Sequence, residues 1–299
     1  MLVSTLIKQV SISMQDFEGK VAVITGAASG IGFALTEKCL SLGMSVVMAD
    51  IEEEVLTKAA EKLQSSGDNN ILPVTTDVSV LEEIESLAKK AIDHFGAVHL
   101  LFNNAGVGGG GNSWESTQKD WEWVIGVNLW SVIHGVRVFS PLMIKQNTDC
   151  HIVNTASVAG LVGSVTNAPY SVTKHGVVAL TEHLYADFKN QDLKVSASVL
   201  CPGFINTNII DSDRNRPNHL ANSAEPQVLT EEIEERRAMF RQVLEQGMQP
   251  HQLADIVFEG IRADKLYLLT GTEFNETILN RAQNITTGTN PALTTSTGG

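Results

Sequence analysis

Thr25-Gly26-Ala27-Ala28-Ser29-Gly30-Ile31-Gly32 follows the β-branched run Val21 to Thr25 without a break and leads into a helical pattern over Ile31 to Leu42. A glycine-rich turn between a strand and a helix is suited to a phosphate group, because backbone N–H groups and the positive end of the helix dipole converge there. Gly26 permits the tight turn, Gly30 lets the N–H groups around Ser29 and Ile31 approach a pyrophosphate, and Gly32 allows the helix to pack closely on the strand. The spacing is Gly-x-x-x-Gly-x-Gly preceded by Thr, which differs from the general G-x-G-x-x-G dinucleotide fingerprint.

Outward from this turn, short β-branched runs alternate with longer helical patterns. Strands are expected at Val21 to Thr25, Ser45 to Ala49, Ile71 to Thr75, His99 to Asn103, His151 to Thr155, Val195 to Leu200 and Leu266 to Thr270. Helices are expected at Ile31 to Leu42, Glu52 to Ser65, Leu81 to Phe95, Gln118 to Gln146, Tyr170 to Asn190 and Leu253 to Arg262. Alternating units imply crossovers onto a parallel sheet, and near-continuous apolar strands imply that both of its faces are covered. The expected architecture is α/β: a Rossmann-like, doubly wound parallel sheet in a single domain over residues 19–283, after an N-terminal extension at 1–18.

Two segments break the alternation. Residues 206–249 are rich in Asp, Asn, Glu and Arg and too long for a plain connection, so a helical flap over the substrate is expected there. Residues 284–299, dominated by Thr, Gly, Asn and Ser, are expected to be a disordered tail.

Composition narrows the function classes. The 299 residues are 43% hydrophobic with a formal net charge of −13, and no Lys/Arg cluster interrupts the negative balance, which argues against a nucleic-acid partner. No uncharged apolar run reaches about 18 residues, so no membrane-spanning helix is expected. Met1 to Met14 lacks a basic n-region and reads as an ordinary extension, with Met14 an alternative start. Cys39, Cys150 and Cys201 are widely separated and give no metal-ligand spacing, so a reducing, cytoplasmic compartment and no metal are expected. The Asn-x-Thr sequons at Asn275 and Asn284 carry little weight in that setting.

Asp50 ends the second strand, about 20 residues beyond the glycine turn, where a carboxylate accepts hydrogen bonds from the ribose hydroxyls of an adenosine. The same charge repels a 2′-phosphate, and Ala28, Ser29 and Ile51 offer no cation to neutralise one. NAD is therefore expected rather than NADP, with an NADP-preferring carbonyl reductase as an alternative. A second possibility for Asp50 is that it caps the helix beginning near Glu52. Asp77-Val78 after the third strand and Asn103-Asn104-Ala105-Gly106 after the fourth place further polar groups at the same carboxyl edge.

Tyr170 and Lys174 are spaced i, i+4, so on a helix both project from one face. A free phenol has a pKa of about 10, and an adjacent ammonium lowers it towards the range useful for acid–base work. Ser157 lies just past the fifth strand and Asn128 within the long helical pattern before it, both facing the edge that carries the glycine turn.

These motifs together resemble the classical short-chain dehydrogenases/reductases, in the same order and at compatible spacing from about Lys20 to Asn280. They are Thr25-Gly26-x-x-x-Gly30-x-Gly32, Asn103-Asn104-Ala105-Gly106, Asn128, Ser157, Tyr170-x-x-x-Lys174 and Pro202-Gly203. The resemblance implies hydride exchange between NAD(H) and a secondary alcohol or ketone, with Tyr170 passing a proton to or from the substrate oxygen and Ser157 hydrogen-bonding that oxygen. It further implies that Lys174 holds the nicotinamide ribose and lowers the Tyr170 pKa, and that Asn128 supports a water in a proton relay. Asp77 and Val78 would contact the adenine, Asn104, Ala105 and Gly106 the adenosine half, and Pro202, Gly203 and Thr207 the nicotinamide. Thr207 is set apart by the long, compositionally divergent flap that follows it. A homodimer or homotetramer built on the helices of Asn128 and Tyr170 is expected by the same analogy.

Trp114, Val158, Leu161, Val162 and Phe204 are candidate walls of the substrate pocket by position, and their apolar character favours a hydrophobic or cyclic alcohol or ketone. Gly108 to Gly111 loosen the neighbouring loop. Two rival readings remain: a catalytically inactive NAD-binding sensor, disfavoured by the complete set Asn128, Ser157, Tyr170 and Lys174, and an epimerase or dehydratase with bound NAD, disfavoured by the short chain after the last strand.

Overall fold

Thr25 is the last residue of a strand whose every position is buried, and six further strands extend the same sheet. The computed structural model describes residues 14–64, 70–163, 167–222 and 231–291. Its strands are β1 (Val21–Thr25), β2 (Ser45–Asp50), β3 (Ile71–Thr75), β4 (Leu100–Asn103), β5 (Cys150–Thr155), β6 (Val195–Cys201) and β7 (Tyr267–Leu269), each within one residue of its expected bounds. All neighbouring pairs are parallel, in the order β3-β2-β1-β4-β5-β6-β7. The chain winds outward from β1 to β3, then returns to β1 and winds the other way. That reversal between β1 and β4 opens a crevice at the carboxyl ends of the strands, where ligands bind in sheets of this kind.

Helices α1 (Gly30–Ser41), α2 (Glu53–Gln64), α3 (Leu81–Phe95), α4 (Gln118–Ile125), α5 (Ser131–Gln146), α6 (Ala168–Asn190), α7 (Glu231–Glu245), α8 (Pro250–Arg262) and α9 (Asn275–Thr287) accompany the sheet. Alternate strand residues feed two cores. Ala22, Ile24, Met48 and Phe102 pack on one side with Leu35 of α1 and Phe258 of α8, whereas Val23, Val47, Leu101 and Ile152 pack on the other with Leu87 of α3 and Phe139 of α5. A side chain such as Phe102, fully buried, contributes roughly 1.5–3 kcal/mol by leaving water. The sheet is thus covered on both faces, within one Rossmann-like domain.

Four expected boundaries are corrected. The single helix expected over Gln118 to Gln146 is divided by a π-helical turn, Gly126–Trp130, centred on the fully buried Asn128. By length and composition this stretch could cross a membrane, but Trp123, Val132, Phe139 and Met143 are buried in the cores. The α6 helix starts at Ala168, because Asn167 accepts a hydrogen bond from the Tyr170 N–H at 3.0 Å and Pro169 suits the first turn. The α8 helix starts at Pro250 because Gln249 and Gln252 cap it reciprocally.

The last correction concerns the expected tail. Helix α9 continues to Thr287 and stops at Gly288, which adopts the left-handed conformation at φ 66°. None of its residues is buried, so composition alone gave no apolar face by which to foresee it. Residues 292–299 lie outside the described residues. In the expected flap, 3₁₀ turns cover Ile209–Asn215 and Asn218–Leu220 ahead of α7, and 223–230 lie outside the described residues.

Candidate active site

The glycine turn is shaped by contacts that no side chain could share. A Cβ on Gly32 would stand 2.0 Å from the Gly26 carbonyl oxygen, and one on Gly26, itself at φ +65°, would stand 2.9 Å from Ala105 Cα. Ser29 precedes α1 in extended conformation without capping it, and the first turn holds no acidic residue. The leading N–H groups of α1 are consequently available to an anion. Thr25 ties the turn to the next strand: its hydroxyl accepts from Asn104 N at 2.9 Å and Ala105 N at 3.0 Å, while Asn104 Nδ2 donates to the Thr25 carbonyl at 2.9 Å.

The Asp50 carboxylate accepts from Ala28 N at 3.0 Å, which ties the end of β2 to the glycine turn, and from Glu52 N at 3.1 Å, which forms a turn just ahead of α2 rather than a cap on its first helical N–H groups. Burial raises its pKa, and these two N–H donors partly offset the rise. Asp77 accepts from Ser79 N at 2.9 Å and Ser79 Oγ at 2.6 Å, organising the approach to α3, with Val78 buried beside it.

Ser157, Tyr170 and Lys174 come together where β5 ends against α6. Ser157 Oγ caps a 3₁₀ turn, Val158–Gly160, by accepting from Ala159 N at 3.1 Å, and it also hydrogen-bonds the Tyr170 side chain. Lys174 is 3% exposed, and its Nζ donates to the Thr155 carbonyl at 2.9 Å. Burial lowers the Lys174 pKa to about 8. The expected lowering at Tyr170 is not found: burial pushes the phenol up, with the Ser157 hydrogen bond acting against it. The reason is positional, since Lys174 Nζ lies over the Tyr170 ring, 5.4 Å from its centroid.

Asn128 reaches the same place from the other side. Its Oδ1 accepts from Val107 N at 2.8 Å and its Nδ2 donates to the Val107 carbonyl at 2.9 Å, so the amide holds the loop leaving β4. A Cβ on Gly106 would stand 3.3 Å from Asn128 Oδ1 and 3.6 Å from Lys174 Nζ, which places Asn128, Gly106 and Lys174 in one cluster. The π turn at Asn128 is a device that recurs at functional sites.

Pro202 and Gly203 follow β6 beside Ser157: the Pro202 carbonyl accepts from Val158 N at 3.0 Å, and Gly203 N donates to Thr270 Oγ1 at 3.0 Å. Thr207 borders the glycine turn, its Cγ2 only 3.1 Å from where a Gly30 Cβ would lie. Among the candidate wall residues, Trp114 is 82% exposed and stands away from the fold, whereas Val162 is fully buried. Val158 and Leu161 are half-buried, and Phe204 meets Phe240 and Phe274 in edge-on and tilted ring contacts.

Two features of the site have no sequence-level signal of their role. The Thr25 hydroxyl joins the end of β1 to the loop after β4. A cation at the end of β2, absent from the neighbouring sequence, is supplied by Arg214 of the flap, whose Nη2 and Nε contact Glu52 at 2.6 and 3.2 Å. A separation of 162 residues leaves no local signal for that meeting.

Comparison with known proteins gives this arrangement its place. The chain matches the family model "short chain dehydrogenase" over residues 20–218. It is similar to the crystal structure of a short chain dehydrogenase/reductase from Burkholderia phymatum in complex with NAD, with a TM-score of 0.89 and 44% identity, covering 95% of this chain and 100% of that one. It is 32% identical over 274 residues to the CLA biosynthesis dehydrogenase/reductase of Lactiplantibacillus plantarum, covering 92% of this chain and 96% of the relative. Human 15-hydroxyprostaglandin dehydrogenase [NAD(+)] is 36% identical over 206 residues, 67% of this chain and 73% of its own length. With the sheet, the glycine turn and the Ser157–Tyr170–Lys174 cluster in place, the chain belongs to the short-chain dehydrogenase/reductase family of nucleotide-dependent oxidoreductases.

Proposed function

We propose that this protein is an NAD-dependent dehydrogenase/reductase that interconverts a hydrophobic secondary alcohol and the corresponding ketone, with Tyr170 as its general acid and base. The observation that carries this reading is the convergence of Ser157, Tyr170 and Lys174 at the sheet edge that also bears the glycine turn.

The residues present fit a dinucleotide. A side chain on Gly32 would fill the cradle against the Gly26 carbonyl, the N-terminus of α1 is uncapped, and Asp50 stands at the end of β2. Ser29, Gly30 and Ile31 would hold the pyrophosphate. Asp50, Asp77, Val78 and Asn104 to Gly106 would hold the adenosine half, and Lys174, Pro202, Gly203 and Thr207 the nicotinamide half. The nicotinamide, when bound, supplies the hydride acceptor or donor.

Tyr170 Oη gives a proton to the substrate oxygen in reduction and takes it in oxidation, while Ser157 Oγ orients that oxygen through a second hydrogen bond. Lys174, protonated below about pH 8, keeps a positive charge beside the phenol and donates to ribose hydroxyls. Asn128 fixes the loop at Val107 and holds the water through which the proton reaches solvent. The half-buried apolar residues Val158 and Leu161 favour a hydrophobic substrate, as do the names of the two relatives above.

A homodimer or homotetramer through α5 and α6 accords with the exposed apolar side chains of Trp130, Ile144 and Val172 on or beside them. Titrating the protein with NADH and NADPH by fluorescence, while screening hydrophobic secondary alcohols and ketones for a change in nicotinamide absorbance, tests the reading. Preferential NADH binding with turnover is the expected result, and absence of nucleotide binding would remove it.

A further inference from the structure

The flap crosses the ligand edge of the sheet along a definite course. From Thr207 beside Gly30 it passes the loop after β4, where the buried Ser212 Oγ accepts from Gly108 N at 2.8 Å. It next reaches the end of β2, where Arg214 Nη2 and Nε and Asn215 Nδ2 contact the Glu52 carboxylate at 2.6, 3.2 and 2.9 Å. It then turns back to α4, where Arg216 Nη1 meets Asp120 Oδ1 at 2.7 Å and the guanidinium lies over the Trp123 ring at 5.1 Å. Arg214 is therefore held in place by chain anchored on both sides.

Arg214 stands at the end of the crevice assigned to the adenosine ribose. Glu52, its partner, is two residues beyond Asp50, and its N–H donates to the Asp50 carboxylate. The remaining guanidinium nitrogen, Nη1, donates to the Asp211 carbonyl at 2.9 Å. The neighbouring Asp211 carboxylate is taken by Arg241 at 2.6 Å and faces Arg237 at 3.6 Å. Every nitrogen of Arg214 is thus engaged, and a guanidinium is the group best shaped to grip a phosphate in bidentate fashion.

We propose that Glu52 is a cofactor-discriminating residue: it occupies the flap cation Arg214, which would otherwise pair with the 2′-phosphate of NADP. This rests on the NAD reading above and adds a second layer to it. Asp50 repels the 2′-phosphate, and Glu52 withholds the group that could compensate. A carboxylate is needed for that role, because it matches the guanidinium in charge and in its two-point geometry.

The test is fluorescence titration of NADH and NADPH against the full-length protein and its Glu52→Ala, Glu52→Gln, Arg214→Ala and Glu52→Ala/Arg214→Ala variants, with melting curves to establish folding. Glu52→Ala should tighten NADPH about tenfold or more, Glu52→Gln should do so in part, and the double variant should return to the wild-type value. Arg214→Ala breaks the same ion pair without freeing a cation, so it should not tighten NADPH; a gain there would mean that loosening the flap is responsible and would overturn the proposal. A gain that survives in the double variant, or an unmoved ratio in both Glu52 variants of an NADH-preferring protein, also overturns it while sparing the NAD reading. A wild-type protein that binds neither nucleotide, or prefers NADPH, overturns both.

Discussion

Lys174 Nζ lies over the ring of Tyr170, 5.4 Å from its centroid, and gives a hydrogen bond to the Thr155 carbonyl. The i, i+4 spacing on α6 brings the two side chains together, but the ammonium faces the ring and the backbone. Its influence on the phenol oxygen is correspondingly weak, and burial sets the direction of the Tyr170 shift.

The same burial brings the Lys174 pKa down to about 8, below the usual lysine value near 10.4. The folded protein therefore loses this charge as pH rises through about 8, and on the proposed reading the lysine would then meet the nicotinamide ribose as a neutral amine with one donor fewer. NADH affinity should be steady from pH 6 to 7.5 and fall above about pH 8, by severalfold at pH 9.5. Lys174→Met should bind more weakly and lack that break, as read by Kd against pH. A flat wild-type profile would take Lys174 out of cofactor binding.

Asp50→Ala removes a carboxylate that accepts from Ala28 N and Glu52 N, and leaves both donors short of a partner. NADH binding should weaken about tenfold, as for loss of a charged hydrogen-bond partner, and the NADPH-to-NADH ratio should move towards NADPH. Weakening without a change in ratio would leave Asp50 with only its structural role in the glycine turn and the turn ahead of α2.

Much of this was legible from residue order. The central strands β1 and β4 are almost wholly apolar because helices cover both faces, and so stand out as short continuous runs. By contrast, β5 and β6 carry buried polar residues such as His151, Asn154, Ser196 and Ser198, and the edge strands β3 and β7 are partly exposed. The glycine turn and the Ser157, Tyr170 and Lys174 set are local motifs attached to strand ends, and the fold brings them to one edge. The π turn at Asn128 has no signature in side-chain periodicity, since it inserts into an otherwise continuous helical pattern. Helix α9 buries nothing, and Arg214 meets Glu52 only because the flap doubles back across the sheet. Such facts depend on tertiary course, which local composition does not encode.

Gly32→Ala tests the cradle. Its Cβ would fall 2.0 Å from the Gly26 oxygen and 2.9 Å from Asn104 Nδ2, and backbone must move to admit it. Overpacking of this kind costs about 1–3 kcal/mol, so the melting temperature should drop by several degrees and NADH binding should be lost or severely weakened. Unchanged melting and binding would show that the turn yields without consequence.

The central claim is that Tyr170 carries the proton, and Tyr170→Phe tests it most directly because it removes one oxygen and keeps the ring beneath Lys174. With a substrate identified from the alcohol and ketone screen, NADH affinity and kcat are measured side by side for wild type and variant. The account predicts NADH binding within a few fold of wild type and a kcat reduced at least about 100-fold, the scale of a lost general acid–base group. A variant that binds NADH and retains its kcat would contradict it.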